Sequence, residues 1–350
     1  MKTILRTFVG CTAILFGTAC MGAVKYVPEN MKVELSLKVP GNNAVNYKLH
    51  PDKLENSYFD YEWRSDNKLP ITVFHKVEER DSCMRLTVQL TAAQDVYFNY
   101  RQLLSTGYRH DNCQFYMPGF WYRRNLRSPK KAPSFHTSDS WLLREDRLSA
   151  PLTGIFSEKE KRFMTVNRLD DFSMDALATH KEGEIILSGK TSLGFTGFEN
   201  QQGIAMLSFG FPYREAPKSY IRKLTLAPEV EAFQLMKKGE SVLLTWEIME
   251  SGADDFSDFI QHTWEHCYDT YAPKPVENSY SIADMKQVLS CFFVNSLVDN
   301  QPLVYNSGIH LKVSDCERNG QAEVGFIGRV LLNAFNAWEY GWQSNREELK

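Results

Sequence analysis

The densest group of side chains that could recognise a ligand lies between Tyr108 and Ser149. This stretch has no steady helical or strand period, and a loop of such length inside a domain is usually either functional or disordered. Disorder is disfavoured here, because disordered segments contain few aromatic residues. Flat aromatic rings alternate in it with cationic side chains. The predicted substrate-binding residues are Trp121, Tyr122, Arg123, Arg124, His136, Trp141 and Arg144.

This combination of residue types suits a sugar. A sugar ring offers apolar C–H faces to aromatic side chains and a rim of hydroxyl groups to polar ones. Arginine binds a carboxylate or a sulfate through two parallel hydrogen bonds, so several arginines would suit an acidic glycan. The alternative is that the rings pack against the fold while the cations lie solvated at its edge.

Hydrolysis of a glycosidic bond requires two carboxyl groups that flank the bond. Three acids are predicted as catalytic candidates. Glu145 is surrounded by arginines in the chain, which would hold it ionised, although a local salt bridge is the simpler interpretation. Asp315 lies near a predicted hairpin tip. Glu323 opens a predicted helix, where it could instead stabilise the helix dipole.

Other reactive residue types give weaker signals. His262 and His266 have the i, i+4 spacing of a metal pair, but no HExxH pattern surrounds them, so a solvated helix face is favoured. The sequence therefore predicts no metal and no cofactor. The cysteines beyond the N-terminal segment cannot all pair with one another, since they are five in number. A disulfide between Cys83 and Cys113 is left open.

The elements that must position these residues change type along the chain. From about Val33 to Glu250, short runs alternate apolar and polar residues or are rich in β-branched ones, and turn residues separate them. This pattern predicts a large antiparallel β-sandwich over residues 24–250. Over residues 251–275 apolar residues recur at spacings of three and four, which predicts a linker helix capped by Asp254 or Asp255.

Residues 276–350 are predicted to begin a helical domain. One helix should start after Ser281, and another should run from roughly Glu323 to Tyr340 and stop at Gly341. These helices are too few to bury one another's apolar faces, so we expect this domain to be incomplete. The fold class predicted from sequence is multidomain, β then α, with the sandwich followed by the linker helix and the start of an (α/α) toroid.

Residues 1–19 have the features of a signal peptide, because Lys2 and Arg6 precede an apolar run that ends in small residues. Cys20 would then be either a free N-terminal residue or a lipidation site. The predicted location is the periplasm, the outer membrane as a lipoprotein, or the extracellular space. Export and the net charge of −3 make nucleic acid an unsuitable partner. A lipid on Cys20 is the only membrane link predicted, since no later run is apolar enough to span a bilayer.

The chain resembles secreted carbohydrate-active proteins of Bacteroidetes in which a β-sandwich precedes an (α/α)6 barrel, the six-hairpin glycosidase-like enzymes. The strings that carry the resemblance are Phe115 to Tyr122, Ala132 to Ser138, Thr263 to Tyr268 with Pro273 to Pro275, and Glu323 to Arg329. The resemblance implies an active site in the mouth of the barrel, with sandwich loops as one wall. It also implies more barrel helices than residues 276–350 can hold.

The predicted function is glycan processing, as the N-terminal part of a glycoside hydrolase that acts on a neutral or acidic poly- or oligosaccharide. Two alternatives are kept. One is a non-catalytic carbohydrate-binding surface protein. The other is a polysaccharide lyase, in which Tyr or His would abstract a proton and Arg would neutralise a uronate carboxylate. A carbohydrate ligand is the partner in all three hypotheses.

Overall fold

A computed structural model describes residues 27–80, 83–170, 182–222, 224–274, 277, 279–295, 309–310, 317–318 and 327–350. The chain divides into two compact units, Met1–Tyr271 and Ala272–Lys350. The predicted signal peptide and Cys20 lie outside the described residues. Among the helices that are described, none combines the length and the apolar character needed to cross a membrane.

Strands dominate the first unit. In chain order they are β1 (Met31–Lys38), β2 (Val45–Lys53), β3 (Tyr61–Arg64), β4 (Ile71–Glu79), β5 (Cys83–Ala92), β6 (Val96–Arg109), β7 (Cys113–Met117), β8 (Trp121–Arg123), β9 (Trp141–Arg144), β10 (Leu152–Ser157), β11 (Arg162–Arg168), β12 (Gly183–Ile186), β13 (Phe195–Gln201), β14 (Ile204–Phe211), β15 (Arg214–Arg222), β16 (Thr225–Met236) and β17 (Ser241–Gly252).

These strands form two facing layers. One layer has the order β2-β1-β6-β14-β13-β9, and the other has the order β3-β4-β5-β17-β11-β10-β7-β8. All of these pairings are antiparallel. A smaller group of β15, β16 and β12 joins the first layer through β9 and β6, and its β12–β16 pair is parallel. The predicted sandwich followed by helices is confirmed.

The main core lies between the layers, where large rings from both sheets meet. Trp246 from one layer contacts Tyr100 and Phe209 from the other, at centroid distances of 6.3 and 5.1 Å. Each of the three side chains is at most 1% exposed. Burial of such rings is the main driving force for closing the two sheets on each other.

Helix α1 (Phe256–Tyr271) packs on the outer side of the second layer. Its cap is Asp255, whose Oδ1 accepts hydrogen bonds from the backbone N–H groups of Ser257 at 2.7 Å and Asp258 at 3.0 Å. Phe259 lies 4.9 Å from the ring of Phe163, and a Cβ at Gly154 would meet Phe259 at 2.5 Å. The helix predicted as a linker is therefore packed into the first unit.

The second unit contains α2 (Ile282–Asn295), α3 (Ile327–Ser344) and a short pair, β18 (Ile309–His310) with β19 (Glu317–Arg318). The predicted cap of α2 is confirmed. Ser281 Oγ accepts from the N–H of Asp284 at 3.1 Å, and the Asp284 carboxylate accepts from the N–H of Ser281 at 3.0 Å. This reciprocal pair is a capping box.

The predicted stop of α3 at Gly341 is wrong. The helix continues to Ser344 and ends where Asn345 takes a left-handed φ of 55°. Gly341 instead makes room for a neighbour, since a Cβ there would lie 3.0 Å from the Cβ of Leu349. A glycine near a helix end can thus reflect close packing rather than termination.

The stretch from Tyr108 to Ser149 is more regular than its sequence indicates. It holds the end of β6, all of β7, β8 and β9, and two 3-10 turns, His110–Asn112 and Glu145–Arg147. Residues 124–140 form its irregular part. Strands β7, β8 and β9 contain only three to five residues each, which is too short for a period of two to stand out.

Candidate functional site

Two predicted sugar-binding residues, Trp121 and Trp141, are fully buried. Their rings lie 5.7 Å apart, and Trp121 also meets the ring of Phe198 edge-on at 5.1 Å. Each indole N–H donates to a backbone carbonyl at 2.9 Å, that of Trp121 to Arg123 and that of Trp141 to Ser138. With their faces covered and their donors satisfied, these rings anchor the segment and offer no surface to a sugar.

Glu145 is also fully buried, which leaves a sugar no access to its carboxylate. One oxygen, Oε2, lies 2.7 Å from Nη1 of Arg168 and accepts the N–H of Gly194 at 2.8 Å. Burial raises the pKa of Glu145, and the guanidinium of Arg168 partly opposes that rise. The salt-bridge interpretation fits this environment, and a catalytic role for Glu145 finds no support in it.

Arg144 shares this buried region. Its guanidinium pairs with Asp146, with Nε 3.0 Å from Oδ1, and lies 4.8 Å from the ring centroid of Tyr213. The Arg144 side chain is 8% exposed. Because Nε and Nη2 donate to Asp146 and the flat face of the guanidinium lies over Tyr213, Arg144 is placed as a structural residue.

Arg124 and His136 shape the irregular segment 124–140. Arg124 is half-buried over the ring of Phe135 at 5.4 Å, and its Nε donates to the carbonyl of Cys113 at 3.2 Å. His136 is exposed, and its Nε2 lies 2.9 Å from the carbonyl oxygen of Leu126. Both side chains hold loop backbone in place, and His136 has the larger surface open to solvent.

A different set of aromatic residues is exposed. Tyr122 on β8 is 51% exposed, and Trp264 and Tyr268 on α1 are 39% and 66% exposed. Trp264 and Tyr268 are four residues apart, so they are neighbours on the helix surface. We call Tyr122, Trp264 and Tyr268 the aromatic platform.

Buried Tyr116 joins the two halves of the platform. Its ring lies 5.5 Å from that of Tyr122, its direct partner across the β7–β8 pair. Its hydroxyl oxygen accepts a hydrogen bond of 2.7 Å from the indole N–H of Trp264. The strand and the helix are thereby fixed in one arrangement, so the rings of Tyr122 and Trp264 are held in place before any ligand arrives.

Arg123 borders the platform. Its φ of 57° is unusual for a residue other than glycine. The guanidinium is exposed, lies 4.8 Å from the ring centroid of Phe256, and donates to Gln114 Oε1 at 3.0 Å. The ring of Phe256 in turn lies 6.4 Å from that of Tyr116. A positive charge is thus held beside the exposed rings, where it could meet an anionic group.

Sequence reasoning named Tyr122 and Arg123 but missed Trp264 and Tyr268. Both were assigned to the apolar stripe of α1. The residues of α1 that are buried are Phe256, Phe259, Thr263 and Cys267. A helical wheel centred on those four residues would have placed Trp264 at the edge of the buried stripe and Tyr268 outside it.

The structure shows neither the Cys83–Cys113 disulfide nor the His262–His266 pair that the sequence left open. Cys83 and Cys113 are both free, so the disulfide between them is not formed. Burial raises the thiol pKa to about 11 for Cys83 and about 12 for Cys113. His262 lies 3.4 Å from Asp258, whereas His266 lies 2.7 Å from Glu247. The two histidines therefore have separate partners and do not form a pair.

Asp315 and Glu323 lie outside the described residues, and their catalytic roles stay predictions. Cys20 also lies outside the described residues, so its lipidation stays a prediction.

Comparison with solved structures finds several proteins whose names refer to carbohydrate chemistry. A polysaccharide lyase is similar over 67% of this chain and 27% of its own, with 14% identity and a TM-score of 0.32. A Klebsiella pneumoniae subsp. pneumoniae protein assigned as an aldose 1-epimerase matches over 68% of this chain and 62% of its own, with 10% identity and a TM-score of 0.31. An α-galactosidase from Lactobacillus brevis matches over 64% and 29%, with 8% identity and a TM-score of 0.24.

TM-scores this low do not establish a common fold and supply no functional argument. The chain spans about a quarter of the length of that lyase. No protein-family model matches the sequence, and no curated protein matches it.

Proposed function

We propose that the first unit binds a carbohydrate chain on the aromatic platform, as part of a glycan-processing protein. The observation that carries this proposal is that Tyr116 holds two exposed rings, Tyr122 through the strand pairing and Trp264 through a 2.7 Å hydrogen bond, while Tyr268 lies one turn from Trp264 on α1. Single exposed aromatic residues are ordinary, but a fixed group of them on one surface indicates a binding site.

The chemistry of the platform matches that of a sugar chain. The apolar C–H faces of pyranose rings stack on flat aromatic side chains, while the phenol groups of Tyr122 and Tyr268 supply polar atoms at the edge. Successive sugars of a chain would meet rings contributed by β8 and by α1. Because the rings of Tyr122 and Trp264 are already ordered, they lose little conformational entropy when the ligand binds.

Arg123 makes an acidic glycan the favoured ligand class. A guanidinium binds carboxylate or sulfate through paired, charge-assisted hydrogen bonds. Arg127, Lys130 and Lys131 are exposed in the irregular segment 124–140 and add local positive charge to a chain of net charge −3. Uronates or sulfated sugars are the groups that this charge distribution would attract.

Glycoside hydrolysis is the reaction we propose for the whole protein, with Asp315 and Glu323 as its carboxyl candidates. The likeness to six-hairpin enzymes of Bacteroidetes, export through residues 1–19 and lipidation of Cys20 belong to the same proposal. The mass of the mature N-terminus tests the last two points, since cleavage before Cys20 with added acyl chains is the expected result. An uncleaved N-terminus would contradict them.

The binding proposal is tested on an array of neutral and acidic polysaccharides. The wild-type chain should bind at least one acidic glycan, and the variant Tyr122→Ala/Trp264→Ala/Tyr268→Ala should lose that binding. Tyr58→Ala is the matched control, because Tyr58 is 69% exposed and contacts Phe59 and Lys76 instead. Equal binding by the triple variant and the wild type would refute the platform.

A second variant tests the role of charge. Arg123→Ala should lower the affinity for acidic glycans and leave the affinity for neutral glycans nearly unchanged, since only the acidic ones present a counter-ion. An equal loss for both classes would show that Arg123 acts through the packing of Phe256 and not through its charge.

A further inference from the structure

A cysteine, a glutamate and a histidine from three different elements meet beneath α1. Cys83 opens β5, Glu247 lies in β17, and His266 lies on α1. One potential ligand atom from each side chain lies within 4.8 Å of those of the other two. The three residues lie on three different elements, so only the tertiary structure brings them together.

The register of the strands explains the meeting of the first two residues. β5 and β17 pair with Cys83 opposite Met249 and Arg85 opposite Glu247. Directly opposed residues share a face of the sheet, and residues two apart on one strand also share it. Cys83 and Glu247 are therefore diagonal neighbours on the face that α1 covers, and His266 reaches them from the helix.

Several contacts hold the cluster in shape. The Nε2 atom of His266 lies 2.7 Å from Oε1 of Glu247, and the hydroxyl of Thr270 donates to the same oxygen at 3.2 Å. Arg85 Nη2 lies 3.6 Å from the other oxygen, Oε2. Cys83 and Glu247 are 5% and 3% exposed. A preformed set of donor atoms in a water-poor environment is the arrangement that metal sites require.

We propose that Cys83, Glu247 and His266 bind a zinc ion. Thiolate, imidazole and carboxylate are the three side-chain ligands that zinc uses, and three protein ligands leave the fourth tetrahedral position for water. Ligand atoms around one tetrahedral zinc are about 3.3–3.8 Å apart. The atoms of the cluster lie within 4.8 Å of one another, so the widest pair needs to close by at most about 1 Å, while His266 Nε2 and Glu247 Oε1, at 2.7 Å, must separate by roughly half an ångström to admit the ion. The zinc proposal is argued from these three residues alone and does not rest on the proposed glycan binding.

The charges balance when the metal enters. Cys83 releases its thiol proton to solvent, and the resulting thiolate together with the Glu247 carboxylate neutralises the two positive charges of zinc. His266 binds as the neutral imidazole. Arg85 stays beside the free carboxylate oxygen and fixes its orientation, as outer partners of metal ligands do. The ion would fasten α1, which carries Trp264 and Tyr268, to the sheet.

Cobalt titration tests the site on the full chain. Protein dialysed against a chelator is titrated with Co²⁺, whose thiolate complexes absorb in the near ultraviolet and visible range, and Zn²⁺ is then added. We expect one equivalent of Co²⁺ to bind with a thiolate-to-cobalt band that Zn²⁺ abolishes. Absence of that band in the wild-type protein would overturn the proposal without any need for a variant.

Conservative variants locate the ligands. Cys83→Ser and His266→Gln should each lower Co²⁺ affinity by about a hundredfold or more. Cys113→Ser and His262→Gln are the matched controls, since Cys113 is another buried free thiol and His262 lies on the same helix. Circular dichroism verifies that each variant is folded. A band that persists in both Cys83→Ser and His266→Gln would place the metal elsewhere and contradict the proposal.

Discussion

Replacing Glu145 distinguishes a structural carboxylate from a catalytic one. In Glu145→Ala the guanidinium of Arg168 loses a partner at 2.7 Å in a region where the two side chains are 0% and 4% exposed. Removing one member of a buried ion pair costs about 3–5 kcal/mol when the other charge is left uncompensated. Asp170 Oδ2 remains 3.0 Å from Arg168 Nε and compensates part of the charge, so we expect a loss near the lower end of that range. The N–H of Gly194 also loses its acceptor. Glu145→Gln should cost less, since its amide oxygen can still accept that hydrogen bond.

Urea-induced unfolding followed by circular dichroism measures this loss. Asp111→Asn is the control, because Asp111 pairs with Arg109 at the surface, where the two side chains are 61% and 67% exposed. Solvent and salt screen such a pair, so its loss should leave the unfolding midpoint nearly unchanged. An unchanged midpoint in Glu145→Ala, together with lost activity on a glycan, would refute the structural interpretation and restore the catalytic one.

Three further predictions concern stability. Burial lowers the pKa of His75 from 6.5 to about 3, so below pH 6.5 the unfolded chain binds a proton that the folded chain does not. As the pH is lowered from 6.5 towards 3, the free energy of unfolding should therefore decrease by about 1.4 kcal/mol per pH unit. A urea midpoint that stays constant from pH 6.5 to about pH 4 would contradict this. Trp121→Ala should cost about 3–5 kcal/mol in urea unfolding, and a loss of glycan binding at unchanged stability would return Trp121 to the ligand surface. Gly197→Ala should cost about 3 kcal/mol, because its Cβ would lie 2.0 Å from the carbonyl oxygen of Trp141; equal melting temperatures for this variant and for Gly189→Ala, which has open space around it, would disprove the clash.

Local patterns were sufficient to predict most of the architecture. Alternating runs such as Arg85 to Leu90 and Val242 to Trp246 lie within β5 and β17, because a half-buried strand imposes a period of two. The caps of α1 and α2 at Asp255 and Ser281 were predictable for a similar reason. Short polar side chains there bind N–H groups only two or three residues away, so no tertiary information is needed.

The candidate site was predicted less well because burial is decided by distant partners. Trp121 and Glu145 share residue types with ligand-binding positions, but Phe198 and Arg168 cover them, and sequence spacing does not show those contacts. The cluster of Cys83, Glu247 and His266 depends on strand register and on the docking of α1. Such a juxtaposition lies beyond any local motif.

Titration calorimetry measures whether a glycan binds to the aromatic platform. Wild type, Trp264→Ala and Tyr268→Ala are titrated with the oligosaccharide whose parent polysaccharide binds most strongly on the array. Each variant should lower the affinity at least about tenfold, equivalent to about 1.4 kcal/mol, with no change in the unfolding midpoint of Tyr268→Ala. Equal affinity in wild type and in both variants would show that the platform is not the glycan-binding site.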